Sequence, residues 1–413
     1  MDLTTFDQRE QVGQESLMID TTSLYQAFEQ VKDGRGRKGK RYPLAFILTL
    51  IMLGKMAGET TIDGIVDWVD GRKEKIKQLL NWPKSFPTNK TYTNALARCD
   101  HHEIVKAITQ VIVKARAEKQ SNDEKGKSIE QEVDREEKLL HTAVDGKTMR
   151  GTRKHERANQ PPVHLLSFYE CEGGFVLDHF PVEKKKNEYS KCIAILHPSL
   201  VKGRILTTDA GIGYKGWCAL VHIFGGYYQI VIKNNHPTVR RDLIAFFENN
   251  KIDRSEFQYY KETNKGHGRQ EVREIWTSTQ MNAHFKEEWA GIAQVFMIIR
   301  TVIEKGEERI KIVYGMTSLP RKKADAKRIL ELNRRHWFIE NRLHYRRDVT
   351  LGEDASQVRV QGAPEALAAL NGGILAVMDF LSIKNVAKQM RHYCAHPEKI
   401  LQLLLGNLSV QNG

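Results

Sequence analysis

Three acidic side chains stand where metal-dependent chemistry would place them. Asp145 closes an apolar run, Leu139 to Asp145, that reads as a strand, and Asp209 closes another, Arg204 to Asp209. Ligands gather at the carboxyl ends of strands in an open sheet, and adjacent parallel strands bring two such ends together. Glu340 lies in a helical segment, with His336 and His344 four residues to either side on one stripe. Carboxylates from two strands and a helix make an oxygen-rich site that suits Mg²⁺ or Mn²⁺ better than a soft metal. Two such ions, ~3.5–4 Å apart, activate an attacking oxygen and stabilise a leaving one in phosphodiester chemistry. Bland alternatives stand beside this. Strand-end aspartates are common turn residues, and a helical Glu ordinarily pairs with a cation one turn away. His336, Glu340 and His344 also offer a zinc site, and Glu353 and Asp354 compete for the place of third carboxylate.

Carboxylates repel phosphate when cations are absent, so a basic surround is required. Lys147, Arg150, Arg153, Lys154, Arg334, Arg335, Arg342, Arg346 and Arg347 supply it. The whole chain of 413 residues carries 64 basic against 51 acidic residues, a net charge of +13. Such a field favours a polyanion, nucleic acid ahead of an anionic membrane. Pro43 to Gly58 is the most apolar run, but Lys55 interrupts it and it is too short to span a bilayer, so it reads as a buried helix. No basic segment followed by an apolar one opens the chain, and the five cysteines form no CxxC pair, which together place the protein in a reducing cytoplasm.

The elements that must position the acids follow from periodicity. Residues 1–32 read as a mobile acidic arm, followed by a basic, Gly-rich stretch, Gly34 to Arg41, which is either a solvated loop or a phosphate contact. Residues 33–120 form a helical domain with possible DNA contact: a helix from Pro43, another capped by Thr60 or Thr61, a short one capped at Thr88-Asn89, and a longer one from His101 to about Lys119. Thr88 to Arg98 is the segment of that domain offered to DNA. A charged linker, 121–137, precedes a change to strand periodicity. Three strands, Leu139–Asp145, Val163–Tyr169 and Phe175–Val182, lead into a βαβα alternation over 188–248, so that 138–252 is the first part of an α/β mixed sheet flanked by helices. A β-rich insertion, 253–320, separates it from 321–392, where a basic helix over Lys322–Tyr345 carries Glu340 and apolar helices pack across the sheet; 393–413 is a tail. Trp337 reads as core rather than as a stacking platform for bases.

The residues around the acids carry a resemblance. Val144-Asp-Gly-Lys-Thr-Met-Arg-Gly151 resembles the first-acid signature of transposases of bacterial insertion sequences, in the H-repeat-associated branch. Thr207-Thr-Asp-Ala210 resembles the second, and Arg335-His-Trp-Phe-Ile-Glu-Asn-Arg-Leu-His344, continuing through Gly352-Glu-Asp-Ala-Ser356, the third. Lys186-Asn-Glu188, Lys233-Asn-Asn235, His267-Gly-Arg269, Arg41-Tyr-Pro-Leu44 and Ala57-Gly58 match in order, so the similarity covers most of residues 33 to 385. The resemblance implies a ribonuclease-H-like core with Asp145, Asp209 and Glu340 as a DDE triad holding two Mg²⁺ (or Mn²⁺) ions. The interval of 131 residues between Asp209 and Glu340 would house the β-rich insertion usual in related transposases. Where relatives carry a Tyr-Arg-Glu-Lys signature that contacts the transposon end, this chain has His336 at the Arg position and Arg347 at the Lys position.

The activity so implied is cleavage at element ends and transfer of the 3′-hydroxyl into target DNA. The resemblance implies double-stranded DNA as the partner and a homodimer or larger assembly on it, and the expected setting is the bacterial cytoplasm, with no membrane. Lys147, Arg150, Arg153, Lys186, Lys233, His267, Arg269, Arg335, His336, Arg342, His344, Arg346 and Arg347 are the residues expected at DNA. Two other classes stay open: a domesticated DNA-binding protein, and a plain metal-dependent nuclease with the same triad.

Overall fold

The computed structural model describes residues 21–80, 82, 84–125, 139–153, 161–183, 187–266 and 268–400. Its strands are β1 (Leu140–Met149), β2 (Val163–Glu170), β3 (Phe175–Pro181), β4 (Arg204–Thr208), β5 (Tyr227–Ile232), β6 (Gln258–Gly266), β7 (Arg269–Ser278), β8 (Gln294–Glu304) and β9 (Glu307–Thr317). They form one sheet in the order β3-β2-β1-β4-β5-β9-β8-β7-β6. β1, β2 and β3 are antiparallel, whereas β4 and β5 run parallel to β1. This is the ribonuclease-H-like arrangement. β4, Arg-Ile-Leu-Thr-Thr, is buried along all but its first residue, as a parallel strand covered on both faces must be.

The insertion does not stand apart from that sheet. β9 pairs antiparallel with β5, from Gln229↔Thr317 to Ile232↔Tyr314, and β8, β7 and β6 follow it outward. The edge strand β6, Gln-Tyr-Tyr-Lys-Glu-Thr-Asn-Lys-Gly, is mostly exposed and rich in charge, which blunts an open edge against further pairing.

Two layers cover the sheet. One face, with Val144, Phe168, Leu206 and Ile230, packs on helices α7 (Glu188–Ile195), α8 (Lys215–Ile223) and α9 (Pro237–Glu248) through Cys192, Trp217, Val221, Leu243 and Phe247. The opposite face, with Ala143, Tyr169 and Val176, packs on the helical N-terminal region and on α11 (Ala363–Phe380). Because side chains alternate along a strand, Asp145 projects toward this second face, two residues beyond Ala143. The helix α10 (Ala326–His336) lies there too, through Ile329, Leu330 and Leu332 against Ile205 and Phe296.

The N-terminal helices are α1 (Thr21–Glu29), α2 (Leu44–Met56), α3 (Ile62–Asp70), α4 (Lys73–Leu80), α5 (Asn89–Leu96) and α6 (His101–Lys125); α12 (Val386–Ala395) follows α11. The apolar run read as a buried helix is α2, and all thirteen of its residues are buried. Thr61 caps α3, its hydroxyl accepting from the Gly64 amide at 3.0 Å. Thr88 stands at the cap of α5 without a side-chain capping bond. α6 continues to Lys125, beyond the expected start of the linker. Among the described residues no helix is long and apolar enough to cross a membrane. Residues 1–20 of the arm, residues 126–137 of the linker and residues 401–413 of the tail lie outside the described residues.

Candidate active site

The pairing of β1 with β4 runs from Leu140↔Arg204 to Val144↔Thr208, where β4 ends. Asp145 and Asp209 are the next residue on each chain, at the point where the sheet's connections diverge to opposite sides, a topological switch point. One expectation needs correction. Asp145 does not close its strand, because β1 continues to Met149 paired with β2 as far as Met149↔Val163. The strand that ends is its neighbour, and that ending opens the gap. Asp209 starts the loop after β4, its Oδ1 accepting from the Gly211 amide at 2.8 Å. Asn235 Nδ2 donates to the Ala210 carbonyl at 2.6 Å, and His236 Nε2 lies 3.0 Å from the Gly213 carbonyl oxygen. The segment after β5 therefore steadies the loop that carries Asp209.

Glu340 is not in the middle of one long α-helix. α10 stops at His336, and the chain continues in wider π-helical turns over Ile339–His344 and Arg346–Thr350. Such turns are rare and recur at functional sites. Ile339 and Leu343 anchor this segment in the core, leaving Glu340 exposed. Ligand atoms of Asp145, Glu340 and His344 lie within 4.8 Å of one another. His336 does not join them: its Nδ1 lies 3.0 Å from Thr207 Oγ1, which is 2.8 Å from His141 Nε2. The zinc arrangement of two histidines four residues to either side of Glu340 is therefore not formed.

The electrostatics match a cluster of under-neutralised acids. Burial, then the charge of Glu340, with further contributions from Glu188 and Asp209, pushes the Asp145 carboxyl up to about 8, against the pull of the Gly146 amide. Burial, then Arg347 and Lys147, drives His344 down to about 3, and burial with Lys233 takes His336 to about 4. Both imidazoles are neutral at pH 7. His344 Nε2 is buried without a hydrogen-bond partner among the described residues. Clustered carboxylates, one of them protonated for want of a counter-charge, and a neutral imidazole fit a divalent cation.

Glu353 and Asp354 serve another purpose. Lys147 Nζ lies 2.5 Å from Asp348, 3.3 Å from Asp354 and 3.5 Å from Glu353. Arg347, fully buried, donates from Nε to Glu353 Oε2 at 2.8 Å, and Asn371 Nδ2 donates to the same oxygen at 3.0 Å. Arg347, Lys147 and Asn371 together hold the buried Glu353 carboxyl below its usual range despite desolvation. This network ties β1 to the turns that follow Glu340.

Sequence reasoning passed over His164. On β2, its Nε2 lies 2.8 Å from Glu188 Oε1 and its Nδ1 lies 2.8 Å from Thr148 Oγ1. Only the register Thr148↔His164 brings it here, and no local motif announces it. The same contact explains Gly146. A Cβ there would lie 2.1 Å from Glu188 Oε1 and 2.6 Å from His164 Nε2, so a side chain after Asp145 would displace one of these two.

The family model described as Transposase DDE domain matches residues 136–370, and a second, DDE_Tnp_1-associated, matches residues 25–112. The chain belongs to the DDE transposase family. Protein YbfL of Escherichia coli K12 is 27% identical over 234 residues, and the H repeat-associated protein YhhI of the same strain 26% over 234; each match takes in 55% of this chain. The chain spans only 61% of the length of each of these relatives. YncI of Escherichia coli O157:H7 is 24% identical over 375 residues, 89% of this chain and 90% of that one. YhhI and YncI carry transposase names. A piggyBac transposase synaptic complex with hairpin DNA aligns at a TM-score of 0.39 and 9% identity, over 96% of this chain and 81% of that one.

The basic residues expected at DNA divide sharply in this DDE transposase. Arg150, Arg153, Lys233, Arg269 and Arg342 are exposed, and Arg342 lies over the Phe338 ring at 3.8 Å. Arg335 is half-buried, 3.2 Å from Glu172. Lys147, Arg347 and His344 are buried, and Arg346 forms a two-pronged pair with Asp379 at 2.6 Å on both arms. These four, with His336 on Thr207, hold the fold around the acids and present no free charge to phosphate. Lys186, Lys154 and His267 lie outside the described residues. Trp337, read as core, is 62% exposed; it stands at the C-cap of α10, where the α-helical stripe that faces the sheet stops.

Proposed function

We propose that this transposase-family chain cuts DNA at the ends of a mobile element and joins the freed 3′-hydroxyl to target DNA, with Asp145, Asp209 and Glu340 holding Mg²⁺ or Mn²⁺. The observation that carries the reading is that ligand atoms of Asp145 and Glu340 lie within 4.8 Å of each other, while Asp209, just past the end of the neighbouring strand β4, adds its charge to those acting on Asp145. Bound divalent cations supply Lewis-acid activation of the attacking oxygen and charge stabilisation of the leaving one. The protein's residues do the rest. Asp145 and Asp209 each follow the last residue paired between β1 and β4, and Glu340 comes from a segment pinned by Ile339, Leu343 and the Arg347–Glu353 pair. His164 holds Glu188 in the wall beside Asp145, and neutral His344 faces the Asp145 carboxyl. Exposed Arg150, Arg153, Lys233 and Arg342 are the phosphate contacts in this reading. Two copies paired on two ends are the assembly that such a reaction needs.

The test is a cleavage and strand-transfer assay on DNA carrying the element's own ends, with and without Mg²⁺. Wild type cuts and joins only with the cation; Asp145→Ala and Glu340→Gln do neither, while Glu340→Gln keeps binding the ends. Cutting without joining in wild type turns the reading into a nuclease. Specific binding with no chemistry in any protein turns it into a DNA-binding protein.

A further inference from the structure

Two segments that take no part in the carboxylate site, Gly34 to Arg41 and Thr88 to Arg98, line a single cavity of about 670 Å³. They are built together. Asp33 and Cys99 form a β-bridge, and a Cβ on Gly34 would lie 2.3 Å from the Arg98 carbonyl oxygen, so only glycine lets the two chains approach. Tyr42 donates its hydroxyl to the Phe86 carbonyl at 3.0 Å and closes the same junction from the other end.

The cavity's lining carries Arg35, Arg37, Lys38, Arg41 and Arg98 and no carboxylate. Thr88, Thr91 and Asn94 add hydroxyl and amide groups along the α5 wall. Arg35 is the deepest of the cations, only 5% exposed. Its Nε and Nη2 donate to the Asp33 carboxylate at 2.9 and 2.7 Å, and Nη2 also to the Tyr42 carbonyl at 2.7 Å. Its Nη1 is buried and has no hydrogen-bond partner among the described residues. An unmet charged donor in a buried position is costly unless an acceptor arrives. Arg37, Lys38, Arg41 and Arg98 stay exposed around it, ready to meet further negative charge.

We propose that this cavity is a second polyanion site, which takes the sugar–phosphate backbone of duplex DNA. The proposal rests on the reading that the chain acts on DNA. Its chemistry is that of positioning and not of sequence readout, since the charged groups are all donors and phosphate contacts fix register without reading bases. The volume exceeds that of one phosphate group, and cations spread over two chain segments suit successive phosphates along a strand. The Tyr42 ring, 7% exposed, offers no face for a base to stack on.

The experiment measures binding of the full chain to duplex DNA, one with element ends and one of unrelated sequence, over a range of salt. Each phosphate contact contributes roughly 0.9 to the slope of log K against log salt. Replacing three exposed cations, Arg37→Ser, Arg41→Ser and Arg98→Ser together, lowers that slope by about 2–3 on both duplexes, whereas Glu340→Gln keeps the wild-type slope. An unchanged slope in the triple variant overturns the proposal. In parallel, the thiol introduced by Lys38→Cys is alkylated with and without duplex and read at that peptide, which decides the matter even if the triple variant does not fold. Protection by duplex supports the site, and no protection overturns it. Protection by inorganic phosphate or a dinucleotide equal to that by duplex, at equal phosphate, assigns the cavity to free phosphate and overturns the DNA assignment. A chain that binds through this cavity but cuts nothing loses the proposed reaction alone; one that cuts ends with the triple variant unimpaired loses this site alone.

Discussion

The Oδ2 of Asp145 lies 3.6 Å from Nδ1 of His344, and both side chains are largely buried. An Asp–His pair ordinarily stabilises the charged form of each partner, yet here the carboxyl is raised to about 8 and the imidazole lowered to about 3. Burial and the neighbouring charges outweigh the pair itself. A neutral imidazole beside a cluster of acids is a partner for a cation. His344→Ala therefore weakens Mn²⁺ binding by roughly 10–100-fold, the range seen when a group that ligates or orients a ligand is removed. Titration calorimetry checks it; unchanged affinity excludes His344 from the site.

The same carboxyl sets a dependence on pH. Asp145 holds its proton in the folded, cation-free protein up to about 8, and an unfolded aspartate only up to about 3.9. Its folded pKa is raised, so its contribution to stability is fully present below the unfolded value and is lost as pH rises through about 8. A bound divalent cation offsets that loss. The rise in melting temperature on adding Mg²⁺ consequently grows between pH 6 and pH 9. Melting curves with and without Mg²⁺ that differ by the same amount across this range contradict the argument.

Lys147 and Arg347 differ from the exposed arginines in what they hold. Arg347→Met removes the buried cation paired most closely with Glu353, a loss on the order of 3–5 kcal/mol. Urea denaturation reads it directly. Because neither cation reaches the surface, Arg347→Met preserves the salt slope of DNA binding wherever the protein is folded. A loss below about 1 kcal/mol would mean that the network is no tighter than a surface pair.

Gly146→Ala forces a methyl group into the place of Glu188 and His164, 2.1 and 2.6 Å from their nearest atoms. One of the two must move, and Glu188 is among the charges that act on Asp145. The variant is expected to lose ~10²-fold or more in cleavage rate, the scale of a 1 Å misplacement at a reacting centre, with its circular dichroism spectrum retained. Cleavage within about twofold of wild type would show that the wall beside Asp145 tolerates displacement.

The core of the fold was legible because its elements obey local rules. β1 to β5 appear as apolar runs between turn residues, α2 as an unbroken apolar helix, and the cap of α3 as a threonine. Their mixed order limits the sheet to few topologies. The acids were legible through the residues around them, Asp145 before Gly-Lys and Glu340 between Ile and Asn. Other features have no local signature. The end of α10 at His336 and the π turns beyond it follow from Ile339 and Leu343 seating in a core built by residues far away in the chain. The exposure of Trp337 at the end of α10 and the burial of Arg347 in the π turns go with this break, which a regular helical period over Lys322–Tyr345 does not contain.

By itself the sequence determined which residues are acidic and which segments are strands, since these depend on neighbours within a few positions. The tertiary structure alone decided which charges face outward. Arg342 and Arg347 are five residues apart and equally basic, yet one lies exposed over Phe338 and the other is sealed against Glu353. Desolvation makes that choice: a guanidinium enters the interior only where a carboxylate meets it, and periodicity cannot say which arginine that will be.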